Sequence, residues 1–197
     1  AALAALHQAG ADFAPRRANS LALEGWKRLA KATASRADRV EDGLAELIAS
    51  SLAQLEETWP DNLPSGIIHA DLFPDNVLFM DGEVSGLIDF YFACDDFYAY
   101  DLAVMLNAWC FEPSGRFSRA KAQSLISGYG RHRPLPEREI AALPILARGA
   151  ALRFLLTRLQ DWLDHDPSAL VRPKDPREFA GRLRFHAGVN SASEYGA

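Results

Sequence analysis

The sequence predicts an α+β fold that is mostly helical and carries one β-hairpin near the middle of the chain. On both sides of the hairpin, apolar residues recur at spacings of three and four, which is typical of amphipathic helices. Residues 66–92 instead hold short apolar runs between turn residues, which is typical of strands. We therefore expect helical regions over residues 1–59 and 97–188, within a single domain over residues 1–197.

The first helical region is dominated by one apolar stripe. Its members are Val40, Leu44, Leu47, Ile48, Leu52 and Leu55. Their spacing places them on one face of a helix. Ala1–Ala9 is predicted to be the last turns of another helix, because no capping residue stands before it.

Three strands are predicted in the hairpin region. Ile67–Ile68 forms the first, Val77–Met80 the second and Val84–Phe90 the third. Asp81–Gly82 separates the last two strands, and this pair favours the type I′ turn of a two-residue hairpin. The second and third strands should therefore pair in antiparallel fashion.

Helices are predicted again after the hairpin. The first is Tyr98–Trp109, and Ser118 can cap a second that runs to Tyr129. A long apolar pattern over Glu137–Asp164 predicts a third, interrupted at Pro144 because proline lacks the backbone N–H of a helix interior.

A loop and a short helix should end the chain. The loop is marked by Pro167, Pro173 and Pro176. A last helix is predicted around Glu178–Ala187, and residues 191–197 are predicted to be frayed, as chain ends often are.

Composition and charge are those of an ordinary soluble protein. Hydrophobic residues make up 49% and charged residues 24% of the chain, and the formal net charge of −5 argues against nucleic acid as the main partner. Cys94 and Cys110 lack the spacing of a metal site or a disulfide framework, which favours a reducing cytoplasm. We expect no apolar stretch of the roughly 20 residues that span a bilayer, and hence no membrane segment.

Acidic and amide residues cluster around the hairpin. Asp71 and Asn76 lie in the loop before it, and Asp89 lies near its end. Phosphoryl transfer from a nucleotide needs a carboxylate that orients the acceptor hydroxyl and takes its proton. It also needs oxygen ligands for Mg²⁺, which otherwise keeps phosphates and waters. We therefore predict Asp71 as the catalytic base and Asn76 and Asp89 as magnesium ligands.

The same residues match the protein-kinase signature H-R-D-L-x-x-x-N followed by D-F-G. The matching positions are His69, Asp71, Leu72, Asn76, Asp89 and Phe90. Ala70 replaces the arginine and Tyr91 replaces the glycine of that signature. His69 is predicted to tie the loop together by hydrogen bonds rather than to transfer a proton. The alternative interpretation is that these residues only organise a turn.

Longer stretches point to a family. They are residues 17–26, 66–79, 86–94, 100–112 and 148–154. The H-x-D-L-x-x-x-N and I-D-F forms resemble the aminoglycoside-phosphotransferase and choline-kinase superfamily, and the longer stretches resemble its homoserine kinase family. The resemblance implies a kinase-like fold, ATP as phosphate donor, Mg²⁺ as cofactor and L-homoserine as acceptor, giving O-phosphohomoserine in threonine biosynthesis. It also implies that Asp101 supports the loop by accepting backbone hydrogen bonds.

The resemblance also implies a part that this sequence does not supply. The family carries an N-terminal lobe with a glycine-containing phosphate loop and a lysine on a strand. The glycines and lysines at the start of this chain, Gly10, Gly25, Lys27 and Lys31, all fall in helical context. We therefore expect the chain to be the C-terminal lobe of a truncated protein, inactive without its N-terminal lobe. Its oligomeric state is left open.

Arg148 and Asp95 are the candidate acceptor-binding residues. Homoserine carries an ammonium and a carboxylate, so its site should offer an acid and an arginine. Arg148 shares an apolar helix face, where a guanidinium needs a partner or water. It is predicted to clamp the substrate carboxylate, to pair with Asp95 or Asp96, or to reach solvent. Asp95 and Asp96 are predicted either to bind a cationic group of the acceptor or to belong to a solvated loop.

Two other functions stay open from the sequence. A kinase for another small hydroxyl compound, such as an aminoglycoside, choline or a sugar, would use the same residues. The few acidic residues after Phe90 argue against an aminoglycoside, whereas an aromatic cage would favour a choline-like acceptor. The second alternative is a non-catalytic binding module of the same fold, against which the intact Asp71, Asn76 and Asp89 set argues.

Overall fold

The structure, a computed structural model, describes residues 1–166 and 168–197. Its chain divides into two compact units, each assembled from separate stretches of sequence. The hairpin unit, as we call the first, comprises Ala1–Asn19, Pro60–Ala147 and Val189–Ala197. The helical unit comprises Ser20–Trp59 and Arg148–Gly188.

Seven α-helices and four strands lie in the described residues. The helices are α1 (Ala2–Ala9), α2 (Leu23–Thr33), α3 (Leu44–Thr58), α4 (Tyr98–Trp109), α5 (Arg119–Gly130), α6 (Glu137–Leu163) and α7 (Arg177–Ala187). The strands are β1 (Ser65–Ile68), β2 (Val77–Met80), β3 (Glu83–Leu87) and β4 (Cys94–Phe97). The predicted α+β class, mostly helical with a central hairpin, is confirmed.

The predicted hairpin is formed by β2 and β3, which pair in antiparallel fashion. Asp81 and Gly82 at its turn have φ values of 53° and 82°, as the type I′ turn requires. β3 ends at Leu87 rather than at Phe90, because the chain turns sharply at Asp89 with a left-handed φ of 62°. The hairpin therefore delivers Asp89 just beyond its last strand.

β4 was not predicted from the sequence. It pairs in antiparallel fashion with β1, so that Cys94 lies opposite Ile68 and Asp95 opposite Ile67. Two of its four residues are aspartates, which are depleted in strands, and the ladder with β1 outweighs that preference. The pairing ties the segment that follows Asp89 to the strand that leads into the acidic loop.

α4 and α5 begin and end close to their predicted bounds. α4 spans Tyr98–Trp109 as predicted. At the start of α5 the Ser118 hydroxyl accepts a hydrogen bond from the Lys121 backbone N–H, which confirms the predicted cap. Cys94 and Cys110 are both free and buried, and burial raises the pKa of the Cys110 thiol to about 12.

α6 runs without a break from Glu137 to Leu163, although Pro144 stands inside it. The interruption predicted at Pro144 was therefore wrong. Leu143, Leu146 and Ala147 beside the proline are fully buried, and such packing outweighs the loss of one backbone hydrogen bond.

Within the described residues, α6 is also long and apolar enough to cross a membrane by length and composition. An 18-residue window of the helix has a mean hydropathy of 1.6, so the expectation that no apolar stretch reaches spanning length was wrong. However, 72% of that window is buried inside the protein, and a core helix passes the same test.

The C-terminal tail is ordered by local contacts, so the prediction of a frayed tail was wrong. Ser191 and Glu194 form a capping box at the start of a 3₁₀ turn over Ala192–Tyr195. Tyr195 is fully buried, and its ring lies 5.5 Å from the ring of Phe117. This aromatic contact holds the tail within the hairpin unit.

In the helical unit, two tryptophans pack against a glycine of α6. Trp26 of α2 is fully buried and meets Trp59 edge-on, with ring centroids 4.9 Å apart. A Cβ atom on Gly149 would come within 2.3 Å of Trp59 and 2.8 Å of Trp26. The loop before α7 holds Pro173 and Pro176 as predicted.

Pro167, which was predicted to belong to the same loop, lies outside the described residues.

Replacing Gly149 with alanine should destabilise the protein, whereas replacing Gly181 of α7 with alanine should stabilise it. Alanine inside a helix normally gains roughly 0.5–1 kcal/mol over glycine, and Gly181 has open space for the methyl group. At Gly149 the methyl group must displace an indole, and we expect a loss of about 1–3 kcal/mol. Chemical denaturation of both variants measures the difference. Equal shifts would contradict the close packing of Gly149.

Candidate active site

The loop after β1 is held by Asp101 of α4, whose side chain is fully buried. Asp101 Oδ2 accepts a hydrogen bond from the His69 backbone N–H at 2.7 Å, and Oδ1 accepts one from the Ala70 N–H at 2.8 Å. His7 Nε2 lies 3.1 Å from Oδ2 and donates to it, because a carboxylate can only accept. One carboxylate thus fixes the loop that leads to Asp71.

Ala70 stores backbone strain in this loop. Its φ of 62° is left-handed, which costs a residue with a Cβ atom about 1–3 kcal/mol and is found mainly at functional sites. Ala70 is 1% exposed, so the long side chain that protein kinases carry here would have no room. The hydrogen bond to Asp101 holds the strained residue in place, and Asp71 follows it half-buried.

His69 connects the loop that holds Asp71 to the end of the hairpin near Asp89. Its Nδ1 accepts a hydrogen bond from the Asp71 backbone N–H at 3.3 Å, so Nε2 carries the proton and donates to the Ile88 carbonyl at 3.0 Å. The ring is fully buried and lies 4.7 Å from the ring of Phe90. Both nitrogens are engaged with the backbone, which supports the interpretation of His69 as a structural tie.

Asn76 lies between Asp71 and the hairpin. Its Nδ2 donates to the Asp71 carbonyl at 2.8 Å and lies 3.5 Å from Asp71 Oδ2. Its own carbonyl accepts a hydrogen bond from the Ile88 N–H at 3.1 Å. These bonds place Asn76 beside Asp71 and tie it to the residue that precedes Asp89. The three residues predicted from spacing are thus linked through hydrogen-bonded backbone.

Asp89 and Asn76 have oxygens that suit a magnesium ion. Asp89 is exposed, and neither its carboxylate nor Asn76 Oδ1 makes a hydrogen bond or ion pair within the described residues. Among those residues no group of three or more His, Cys, Asp and Glu side chains could hold a metal. Two protein oxygens fit a hard cation that takes its other ligands from phosphates and water.

Asp95 is engaged by the segment around Arg17. Arg16 Nη1 donates to Oδ1 at 2.6 Å, and the Arg17 backbone N–H donates to Oδ2 at 2.9 Å. Slight desolvation raises the pKa of Asp95, but these two donors hold it below its usual value. An acceptor ammonium at Asp95 would therefore have to compete with Arg16. The alternative of a solvated loop was wrong, because Asp95 and Asp96 lie in β4.

Arg148 lies in the helical unit and is 6% exposed, so the alternative of a side chain that reaches solvent was wrong. Its Nη2 donates to the carbonyls of His186 and Ala187, at 3.2 and 3.0 Å. These carbonyls end α7, where a cation is favoured by the helix dipole. The clamp on a substrate carboxylate stays a prediction.

His186 should make the stability of the protein depend on pH. Burial, and the positive charges of Arg148 and Arg182, lower its pKa to about 3. The unfolded chain takes up this proton below about pH 6.5 and the folded chain does not, so the free energy of unfolding should be about 2 kcal/mol lower at pH 5 than at pH 8.

Denaturation of the wild type and of the His186→Gln variant at both pH values tests this expectation. The variant should lose most of the difference, whereas His132→Gln, at an exposed histidine, should keep it. An undiminished difference in His186→Gln would contradict the assignment.

Sequence reasoning missed the residues that surround Asp101. The Tyr129 hydroxyl lies 2.7 Å from His7 Nδ1 and donates to it, because the neutral ring carries its proton on Nε2, which donates to Asp101. Burial raises the pKa of the Tyr129 hydroxyl. Arg133 pairs at 2.9 Å with Glu139, whose side chain is fully buried. His7 and Tyr129 are 122 positions apart, and no local pattern connects them.

The chain is similar to known proteins over almost its whole length. A model of the phosphotransferase enzyme family matches residues 1–135. The chain is 62% identical over 194 residues to the homoserine kinase of Xanthobacter autotrophicus, covering 98% of this chain and 60% of that protein. It is 60% identical over 195 residues to the homoserine kinase of Methylobacterium nodulans, covering 99% and 61%. The chain thus spans about 60% of the length of these curated relatives.

Solved structures show the same fold at low sequence identity. The choline kinase from Cryptosporidium parvum matches with a TM-score of 0.65 and 16% identity, over 94% of this chain and 62% of that one. The aminoglycoside phosphotransferase from Alicyclobacillus acidocaldarius matches with a TM-score of 0.55 and 20% identity, over 94% and 62%. The predicted kinase-like fold is confirmed.

Proposed function

The chain belongs to the phosphotransferase enzyme family, and from that premise we propose that the full-length protein transfers phosphate from ATP to the hydroxyl group of L-homoserine. The observation that carries the proposal is the linked set of Asp71, Asn76 and Asp89, with the strained and tightly bonded loop that holds it. The acceptor is supported by relatives that bear the name homoserine kinase at 57–62% identity. The product would be O-phosphohomoserine, used in threonine biosynthesis.

Asp71 acts in this proposal as the catalytic base. Its carboxylate orients the acceptor hydroxyl and takes its proton as the phosphoryl group arrives. The bond from Asn76 Nδ2 to the Asp71 carbonyl fixes the backbone on which that carboxylate stands. His69 and Asp101 position the loop and take no proton from the substrate.

Asn76 and Asp89 hold Mg²⁺ in the same proposal. These two oxygens would hold the ion, and a bound Mg²⁺ would supply positive charge that neutralises the phosphates of ATP. Asp89 meets this need because its left-handed backbone turns it out of the hairpin and leaves its carboxylate exposed.

The remaining length of the relatives is proposed to supply the nucleotide-binding lobe. Exposed apolar side chains on and just after the hairpin support this view. They are Leu78, Phe79, Met80, Val84, Ile88, Phe90 and Tyr91. Their exposed fractions run from 42% to 70%, and so many exposed large apolar side chains within residues 78–91 are typical of a surface that a partner covers. We place the protein in the cytoplasm, where the two free cysteines would stay reduced.

The test is an assay of the full-length protein with ATP and Mg²⁺ against L-homoserine, choline and an aminoglycoside. We expect ADP release and a phosphomonoester only with homoserine, and no turnover when EDTA removes the metal. Turnover on another hydroxyl compound would keep the mechanism and reject the acceptor. An absence of turnover and of ATP binding would favour the non-catalytic module.

A further inference from the structure

We infer that Arg17 binds the carboxylate of the acceptor and so selects an amino acid over a simple amino alcohol. The inference rests on the proposed function and adds a specificity-determining residue to it. The sequence offers Arg148 as one candidate for this task, and Arg148 lies in the helical unit, whereas Arg17 lies in the hairpin unit with Asp71 and Asp89.

Arg17 lies against the segment that follows Asp89. Its Nη1 donates to the Tyr91 carbonyl at 2.6 Å, and its guanidinium carbon lies 5.8 Å from the centre of the Tyr91 ring. Tyr91 is two residues beyond Asp89, in the 3₁₀ turn over Phe90–Phe92. A cation is therefore fixed beside the turn that carries a magnesium ligand of the proposed site.

The backbone around Arg17 is held against β4 by an isolated bridge and one further backbone hydrogen bond. Ala18 forms a parallel bridge with Asp95, and the Asp95 N–H donates to the Arg17 carbonyl at 2.7 Å. Both oxygens of the Asp95 carboxylate bind this segment, one through the Arg16 guanidinium and one through the Arg17 N–H. Asp95 thus positions Arg17. The negative charge of Asp95 is neutralised by Arg16.

The Arg17 guanidinium keeps donors for a ligand. It has five N–H donors in a rigid fork, of which Nη1 serves Tyr91. Its Nε and Nη2 make no hydrogen bond within residues 1–166 and 168–197, and the side chain is exposed. The spacing of these donors matches the two oxygens of a carboxylate. The neighbouring Arg16 is already paired with the carboxylate of Asp95.

The experiment compares Arg17→Gln with wild type in the full-length protein. We expect the KM for L-homoserine to rise roughly 10- to 100-fold with kcat and the KM for ATP little changed, because a charged hydrogen bond that serves binding alone is lost. Arg17→Lys keeps the positive charge but lacks the two-pronged guanidinium. Its KM for L-homoserine should lie between those of wild type and Arg17→Gln. Arg138→Gln, at an exposed arginine of α6, is the matched control and should behave as wild type.

A second measurement separates carboxylate binding from a structural role. 3-Aminopropan-1-ol is homoserine without its carboxylate, and its inhibition constant against homoserine should be the same in wild type and Arg17→Gln. An unchanged KM for homoserine, an equal weakening of both ligands, or a raised KM for ATP would each overturn the inference. If wild type itself does not phosphorylate homoserine, it is the proposed function that fails.

Discussion

Replacing Asp71 with asparagine should lower the kcat of the full-length protein by about 10²–10⁴-fold, the range that a positioned proton acceptor contributes. Asparagine keeps the shape of the side chain but cannot take the acceptor proton. The loop should keep its form, because the Asp71 N–H bond to His69 and the Asp71 carbonyl bond from Asn76 do not involve the carboxylate. Initial rates at saturating ATP, Mg²⁺ and L-homoserine measure the effect, and the KM for homoserine should change far less than kcat.

Two matched variants decide what such a loss means. Asp81→Asn removes a carboxylate at the turn of the same hairpin, where asparagine tolerates the φ of 53°, and it should leave kcat unchanged. Asp89→Asn should instead raise the Mg²⁺ concentration needed for half-maximal rate, because it weakens a proposed metal ligand. Full activity of Asp71→Asn would remove Asp71 as the base, and an equal loss in Asp81→Asn would indicate a general effect of charge.

The elements that could be predicted from the sequence are those fixed by local chemistry. The Asp81–Gly82 turn specifies a hairpin by itself, and the apolar spacing of Tyr98–Trp109 specifies a helix. The residues of the proposed site also lie close in sequence, since the loop and the hairpin that follows it hold Asp71, Asn76 and Asp89. A short chain between such residues limits how far apart they can lie.

The features that could not be predicted depend on partners distant in sequence. β4 forms because β1 lies beside it, and its own residues favour a loop. Arg17 and Tyr91 are 74 positions apart, so neither the contact nor its direction follows from any spacing pattern. The continuous helix at Pro144 could not be predicted either. Proline disfavours a helix interior, but the burial of its neighbours stabilises α6 there.

Replacing Asp101 with alanine should lower the free energy of unfolding by about 3–5 kcal/mol, more than most single substitutions cost. The carboxylate is fully buried and accepts hydrogen bonds from the His69 and Ala70 N–H groups and from His7. Alanine would leave all three donors without their acceptor. It would also release Ala70 from its left-handed conformation, because the bond that holds its N–H would be lost.

Asp101→Asn keeps the prediction measurable if the alanine variant does not fold. Asparagine retains one acceptor oxygen but turns an NH₂ group toward a backbone donor, so the loss should be intermediate, and kcat should fall as the loop shifts. His7→Gln alters only the side-chain donor and leaves both backbone bonds, and should cost less than either change. Denaturation curves rank the three variants. If Asp101→Ala stayed within about 1 kcal/mol of wild type, the loop would be held by other contacts, and Asp101 would not be its anchor.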